Sequence, residues 1–395
     1  MHVLMLSWEF PPLVVGGLGR HVEALAQELA AAGHEVQVVT RGEKDEIVDE
    51  VIAGVRVRRA AADPIAIDFT TESLLAWSQA AEHALIRAAL PLLGGGSPDV
   101  VHAHDWLVAQ SATTLAQASG APLIATMHAT EAGRHQGWLP KPLNLAIHSV
   151  ERWLAQSADA VITCSQTMRA EVSRLFELDA ARLHVVPNGI DADRWRVPVH
   201  ARAAARVRHG DPLIVFAGRL VHEKGVQTLL DALRRLRAAH PGLRLAIAGT
   251  GPFENALHDR ARKLRIARAV DWLGFVEDEE LAPLLAAADV VVVPSLYEPF
   301  GIVALEAAAA QAPVVVAESG GLVDLVTDRI ATASFPPGDA DALVRAIGAV
   351  LADPGGTRLA VERATRVLKR DYTWHAVARH TADIYRRAAG GRNER

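Results

Sequence analysis

Short runs of Val, Ile, Leu and Ala recur along the whole chain, at 3–6, 36–40, 100–102, 123–127, 160–164, 213–217, 243–248, 270–273, 290–293 and 314–317. Ala-rich stretches of helical period separate them. Runs that are apolar on both alternate faces read as strands covered by helices on either side, so the pattern predicts parallel α/β units rather than a sandwich or a bundle. The first unit shows the logic. Residues 3–6 form a strand, a glycine loop follows, and a helix then presents Leu18, Val22, Leu25 and Leu29 on one face. Gly33 stands where a C-cap would end that helix.

At 395 residues the chain is long enough for two domains. The arginine- and alanine-rich segment 197–211, flanked by prolines, reads as the linker between them. This sets an N-terminal domain at 1–196 and a C-terminal domain at 211–373, with residues 390–395 frayed. A formal net charge of -5 gives no basic surface for nucleic acid, and a single cysteine, Cys164, excludes internal disulfides and cysteine-cluster metal sites. The start, Met1-His-Val-Leu-Met-Leu-Ser7, lacks a basic leader, and no stretch approaches the ~20 apolar residues a membrane span needs. A cytoplasmic location is the expectation.

Function is written most clearly at Ser295-Leu-Tyr-Glu-Pro-Phe-Gly-Ile-Val-Ala-Leu-Glu306. Glu298 lies in a strand-to-helix loop, whereas Glu306 lies more than a turn into the helix. The amides around Phe300, Gly301 and Ile302 open that helix, a setting suited to a diphosphate. Upstream, Phe216-Ala-Gly-Arg-Leu-Val-His-Glu-Lys-Gly225 follows another strand, and its Arg219 and Lys224 can reach one phosphate group, the first as a rigid fork and the second as a compact charge. Gly249-Thr-Gly251 and Gly274-Phe275-Val276 end further strands where nucleobase contacts are expected.

The first half carries its own polar strand ends. Glu9 and the loop with Gly16, Gly17 and Gly19 follow the first strand, His104-Asp105-Trp106 follows the strand at 100–102, and Thr126-Met-His-Ala-Thr-Glu-Ala-Gly-Arg-His135 continues from the strand at 123–127. Ligands in open α/β sheets collect beyond these ends. Trp8, Trp106 and Trp138 fall in loops, where sugar stacking and plain packing are both open readings. Asp191-Ala-Asp193 and Asp339-Ala-Asp341 spell a metal-nucleotide motif, but the first follows a turn and the second opens a helix, so no metal site is assigned.

The Glu-x7-Glu spacing within Glu-Pro-Phe-Gly, the intact Arg219/Lys224 pair, and His-Ala-Thr-Glu followed by Gly-Arg-His together resemble the retaining family-4 glycosyltransferases of GT-B fold, along the whole chain. Within that family the sequence is similar to actinobacterial α-(1→4)-glucosyltransferases of methylglucose lipopolysaccharide and glycogen-like glucan synthesis. The resemblance implies two Rossmann-like domains facing across a cleft, with a last helix at 374–390 packed back on the first domain. It implies a nucleoside diphosphate glucose donor, UDP- or ADP-glucose, an α-glucan acceptor, and no cofactor or metal. His128, Asp105, Arg219, Lys224 and Glu298 would be catalytic. Gly16, Gly17, Gly251, Phe275, Val276, Phe300, Gly301, Ile302 and Glu306 would bind the donor, with Glu306 on the ribose. Glu9, Trp106, Glu131, Arg134, His135 and Trp138 would bind the acceptor.

Three positions depart from the family pattern. Asp324 replaces the usual Glu after Ser319-Gly-Gly321. Val14 and Arg20 stand where typical ADP-glucose glycogen synthases carry Lys and Asp, so the donor nucleotide stays open. A sugar-nucleotide epimerase or hydrolase of the same fold, or a family member with another sugar or acceptor, are the alternatives. The oligomeric state is likewise open.

Overall fold

The structure is a computed structural model, and it describes residues 1–13, 16–62 and 67–392. The chain divides into two compact units, one formed by Met1–Gly189 with Trp374–Arg395 and the other by Ile190–Thr373. Each holds its own sheet.

The first unit is built on β1 (His2–Leu6), β2 (Glu35–Arg41), β3 (Val48–Ile52), β4 (Val55–Ala60), β5 (Val100–His104), β6 (Leu123–Met127), β7 (Ala160–Thr163) and β8 (Leu183–Val185). Their order across the sheet is β3-β4-β2-β1-β5-β6-β7-β8. Neighbours run parallel except β3 and β4, which form an antiparallel hairpin at one edge. The second unit orders β9 (Leu213–Ala217), β10 (Arg244–Ala248), β11 (Val270–Gly274), β12 (Val290–Val293), β13 (Val314–Ala317) and β14 (Ala333–Phe335) as β11-β10-β9-β12-β13-β14, all parallel. Both orders reverse direction once, between β1 and β5 and between β9 and β12. A doubly wound sheet opens a crevice beyond the carboxyl ends of its strands at that reversal. The topology therefore marks the loops after β1, β5, β9 and β12, where the sequence concentrates its polar residues.

Several elements differ from the sequence expectation. The hairpin β3–β4 alternates charged and apolar residues (Val-Asp-Glu-Val-Ile, Val-Arg-Val-Arg-Arg-Ala) because one of its faces meets water. A search for continuous apolar runs passes over it. The segment 197–211 is not a free linker: it folds as the helix Val199–His209 and belongs to the second unit. That helix buries none of its residues fully, which removes the apolar stripe by which helices are recognised. Arg206 fixes it by donating to Asp289 Oδ1 and Asp211 Oδ1, each at 2.7 Å. Gly390 and Gly391 are helical, within the long helix Trp374–Arg392, while residues 393–395 lie outside the described residues. No helix among the described residues is long and apolar enough to cross a membrane.

The helix Trp374–Arg392 is an integral part of the first unit. Val377, Ala378, Ala382, Ile384 and Tyr385 enter a core with Val3, Met5, Val22, Leu25, Val100 and Ile124. Fully buried Tyr385 meets His102 Nδ1 at 2.6 Å through its hydroxyl, and His102 Nε2 lies 2.7 Å from Thr126 Oγ1. Tyr385→Phe keeps the volume and removes only the hydroxyl, leaving a buried ring nitrogen without its partner. Its expected cost is about 1–3 kcal/mol, measurable as a lowered urea midpoint at unchanged slope; an unaltered midpoint would mean that His102 does not depend on this contact.

Candidate functional site

In the second unit the polar residues converge where β9 and β12 end. Lys224 Nζ lies 2.6 Å from Glu298 Oε2, and Ser295 Oγ donates to the same oxygen at 3.0 Å. Glu298 is buried and Lys224 partly so. The loops that carry them are bound through backbone: Leu296 N donates to Glu223 O at 2.7 Å, and Gly321 N donates to Glu298 O at 2.8 Å. Ser319 Oγ adds a bond to Ser295 O at 2.7 Å. Two glycines permit this closeness. A Cβ on Gly225 would stand 1.8 Å from Pro294 O, and one on Gly320 would stand 2.0 Å from Glu298 O. Both also have positive φ, 71° and 53°, a region that side chains disfavour. Gly225 lets the Lys224 loop lie on the end of β12, and Gly320 lets the turn after β13 close over Glu298.

Arg219 is exposed in the loop after β9 and makes no ion pair among the described residues. Leu220 and Gly218 on either side of it are stitched to the end of β10, Leu220 N donating to Thr250 O at 2.8 Å and Gly218 N to Ala248 O at 3.0 Å. Gly251 packs against Leu220 O, where a Cβ would fall 2.4 Å away. Phe275 is exposed and Val276 half-buried after β11. The helix Ile302–Ala309 starts after Gly301, which caps it at φ 103°. Phe300 turns into the core, so what it presents at this helix start is backbone. Glu306 is buried one turn into the helix. Asp324 lies half-buried in the helix Leu322–Thr327.

The two D-x-D sequences serve local structure. Asp191 Oδ1 accepts from the amide of Asp193, and Asp339 Oδ1 caps the helix Ala340–Ala352 by accepting from Ala342 N.

In the first unit, the register pairs His104 on β5 with Thr126 on β6, so Asp105 and His128 emerge side by side. Asp105 Oδ1 accepts from His128 N at 2.7 Å. Its own φ is 62°, a conformation a non-glycine residue adopts only where surrounding contacts enforce it. Burial raises the Asp105 carboxyl to about 6, against the opposing pull of the His128 and Ala129 amides and of Arg134. Burial also lowers His128 to about 4, so its ring is neutral near pH 7. Around it stand two histidines that sequence reasoning did not select. His104 Nδ1 lies 3.2 Å from His128 Nε2, and the His21 ring packs edge-on to His128 with centroids 4.7 Å apart. Alternation along β5 puts His104 on the same face as His102, so a period-aware reading could have found it, whereas His21 comes from the helix after β1, on a face that reads as core.

The expected acceptor residues divide. Glu9 is buried and accepts from Gly16 N at 3.0 Å, which ties down the loop before the helix Gly17–Ala31; Gly16 and Gly17 are exposed. Val14 lies outside the described residues. Trp8 is buried in a cluster with Phe69 and Trp77, under Arg41, which leaves its ring no open face for a sugar. Trp138 is exposed and Trp106 half-buried. Arg134 is exposed, at the end of the short helix Glu131–Arg134. Glu131 is buried, accepting from Asn144 Nδ2 and lying 3.3 Å from His135 Nε2. It therefore holds the segment's shape from within.

The comparisons agree with this geometry. Residues 15–194 match the model of Glycosyltransferase Family 4, and residues 200–367 match that of Glycosyl transferases group 1. The glycogen synthase of Mycobacterium tuberculosis is 45% identical, over 100% of this chain and 96% of its own length. The chain belongs to glycosyltransferase family 4. It is an enzyme of the hexosyltransferase type, and its two parallel-sheet units are those of the GT-B fold. An uncharacterised glycosyltransferase of Methanocaldococcus jannaschii is 34% identical over 98% of each chain. Among solved structures, the sucrose-phosphate synthase of Thermosynechococcus elongatus superposes with a TM-score of 0.83 at 25% identity, covering 98% of this chain and 99% of the other.

Within this glycosyltransferase, Glu151 supports the segment after β6. Its two carboxylate oxygens lie 2.8 and 3.1 Å from Glu131 N, which donates to them, and burial, with Asp105 and Glu131 adding like charge, raises it from 4.5 to about 9. A carboxyl raised on folding stabilises fully below its unfolded pKa and loses that contribution as pH climbs through the folded one. Glu151 should thus erode stability progressively from about pH 4.5 to about pH 9. Glu151→Gln retains a carbonyl acceptor and cannot ionise, so its unfolding midpoint should decline less over that window. Parallel pH profiles for the two proteins would contradict the assignment.

Proposed function

We propose that this chain is a retaining α-(1→4)-glucosyltransferase that moves glucose from UDP- or ADP-glucose to the non-reducing end of an α-glucan. The observation that carries the reading is the Lys224–Glu298 pair at the β9/β12 reversal, beside exposed Arg219 and the start of the helix Ile302–Ala309. A departing nucleoside diphosphate gathers negative charge as the sugar leaves, and donors fixed in advance stabilise that charge best. Arg219, Lys224 and the amides around Gly301 are such donors. Both bonds to Glu298 fall on Oε2, and Oε1 is the oxygen offered to a sugar hydroxyl. Glu306 would hold the ribose, and Gly251, Phe275 and Val276 the base.

On the acceptor side, neutral His128 would touch the transferred sugar and Asp105 would fix the His128 backbone through the amide it binds. Arg134, Trp106 and Trp138 would contact the glucan, with Glu9, Glu131 and His135 shaping the loops. The departing phosphate would take the acceptor's proton on the face of the sugar from which it leaves, which gives retention. The full-length likeness to a glycogen synthase supports an α-glucan product. A soluble, cytoplasmic enzyme suits a nucleotide-sugar donor. The deciding experiment incubates the enzyme with labelled UDP-glucose and ADP-glucose, with and without a maltooligosaccharide. Chain extension with one donor is expected; nucleotide release or epimerisation at full rate without acceptor would refute the transferase reading.

Two further outcomes follow. Lys224→Ala should lower kcat roughly 10²–10³-fold, since it removes a contact to developing charge, whereas Glu306→Ala should chiefly raise the donor KM, because a ribose contact changes little between ground and transition states. Near-normal kcat in Lys224→Ala would take Lys224 off the diphosphate. Transfer should also persist after exhaustive EDTA treatment, since Arg219 and Lys224 can meet the diphosphate charge directly; loss of activity restored by Mg²⁺ or Mn²⁺ would require a metal at the phosphates.

A further inference from the structure

Three imidazoles converge in the first unit with an arrangement that sugar binding alone does not call for. His104 Nδ1 and His128 Nε2 are 3.2 Å apart, and the ring of His21 lies against both, with centroids 5.7 Å from His104 and 4.7 Å from His128. One ligand atom from each of the three falls within 4.8 Å of the other two, the one such group of His, Cys, Asp or Glu found among the described residues. Tetrahedral coordination with metal–nitrogen bonds of about 2.0–2.1 Å places nitrogens roughly 3.3 Å apart. The His104–His128 pair is already near that separation, and the His21 ligand atom lies within 4.8 Å of both.

The remaining bonds favour a ligand role. His21 Nδ1 meets Asn188 Oδ1 at 2.9 Å in a buried contact. An amide oxygen can only accept, so the proton sits on Nδ1 and the Nε2 lone pair is free to bind, the arrangement an outer partner gives a ligating histidine. Between His104 and His128 one neutral ring donates to the other; a cation bound between them would replace that hydrogen bond, with the donor ring's proton moving to its other nitrogen. His104 Nε2 is buried without any hydrogen-bond partner, so the pair is incompletely satisfied as it stands.

We propose that His21, His104 and His128 form a binding site for one divalent transition-metal ion of the Zn²⁺ or Co²⁺ type, and that its occupation inhibits the enzyme. Three imidazoles and an open fourth position suit these borderline ions and not Mg²⁺ or Ca²⁺, which prefer oxygen. The inhibitory consequence rests on the proposed contact of His128 with the transferred sugar, because a ligated ring cannot offer the same nitrogen. The binding itself does not rest on it.

The test titrates chelator-treated full-length enzyme with Co²⁺ and follows its ligand-field absorption. One equivalent with the intense bands of a low-coordinate site is expected, displaced by Zn²⁺. His128→Ala and His21→Gln should each weaken binding at least tenfold, and His104→Leu should do the same. His128 is only half-buried, so its variant reads the site even where replacement of buried His104 disturbs folding. His380→Gln, at an exposed histidine on the last helix, should bind like the parent. Absence of the bands, or equal affinity in the three variants, would overturn the site. In parallel, Zn²⁺ should slow glucosyl transfer and EDTA should restore it. Histidine-dependent Co²⁺ binding with no effect of Zn²⁺ on transfer would keep the metal site and remove His128 from the sugar.

Discussion

The ion pair between Lys224 and Glu298 is the contact around which the second unit's site is assembled. Holding a buried carboxylate against a cation at 2.6 Å is favourable only where the geometry is fixed and further donors satisfy the oxygens. Ser295 supplies one such donor, and the rest of the fixing is done by backbone. Glu223 O receives Leu296 N, Glu298 O receives Gly321 N, and Ser319 Oγ reaches Ser295 O. Three loops, from the ends of β9, β12 and β13, are thereby locked to one another. Each contact requires approach distances that a Cβ at Gly225 or Gly320 would forbid. The glycines set the pair's geometry even though they touch neither charge.

The first unit solves a different electrostatic problem. Its strand-end residues are largely withdrawn from water, and burial disfavours their charged forms. The histidines lose their protons to desolvation, Glu151 keeps its proton, and the Asp105 carboxyl is raised to about 6. A segment that offers hydrogen-bonding groups but little charge suits hydroxyl-rich ligands, whereas the second unit's exposed Arg219 and ordered Lys224 suit an anion.

Much of this was legible in the sequence, for identifiable reasons. Strands buried on both faces leave continuous apolar runs, so β1, β2, β5, β6, β7 and the five strands from β9 to β13 stand out. The Glu298–Glu306 spacing announces a strand-loop-helix unit, and Gly301 opens the helix after that loop. What escaped had a different signal or none. The β3–β4 hairpin alternates because it has a wet face, and the helix Val199–His209 lacks an apolar stripe. Glu131 looked like a ligand contact because its motif is polar; its burial and its bond from Asn144 come from the helix Pro142–Ser157, which no local pattern connects to it. For Trp8 the sequence left stacking and packing both open. Its partners Phe69 and Trp77 are some sixty to seventy residues away.

The histidines show where sequence reading stops in physical terms. His104 and His128 belong to motifs that can be read directly, but His21 lies on a helix face that periodicity assigns simply to the core. Only the pairing of β1 with β5, and of β5 with β6, carries these rings to one place. The helix Trp374–Arg392 then closes the group, since Trp374 packs against His21 and Tyr385 holds His102 from the end of the chain. A segment more than two hundred residues downstream thereby fixes the hydrogen bonding of a strand in the sheet's middle. Packing this tight transmits small displacements. The last helix is therefore a determinant of the first unit's strand-end geometry as much as a cover for its core.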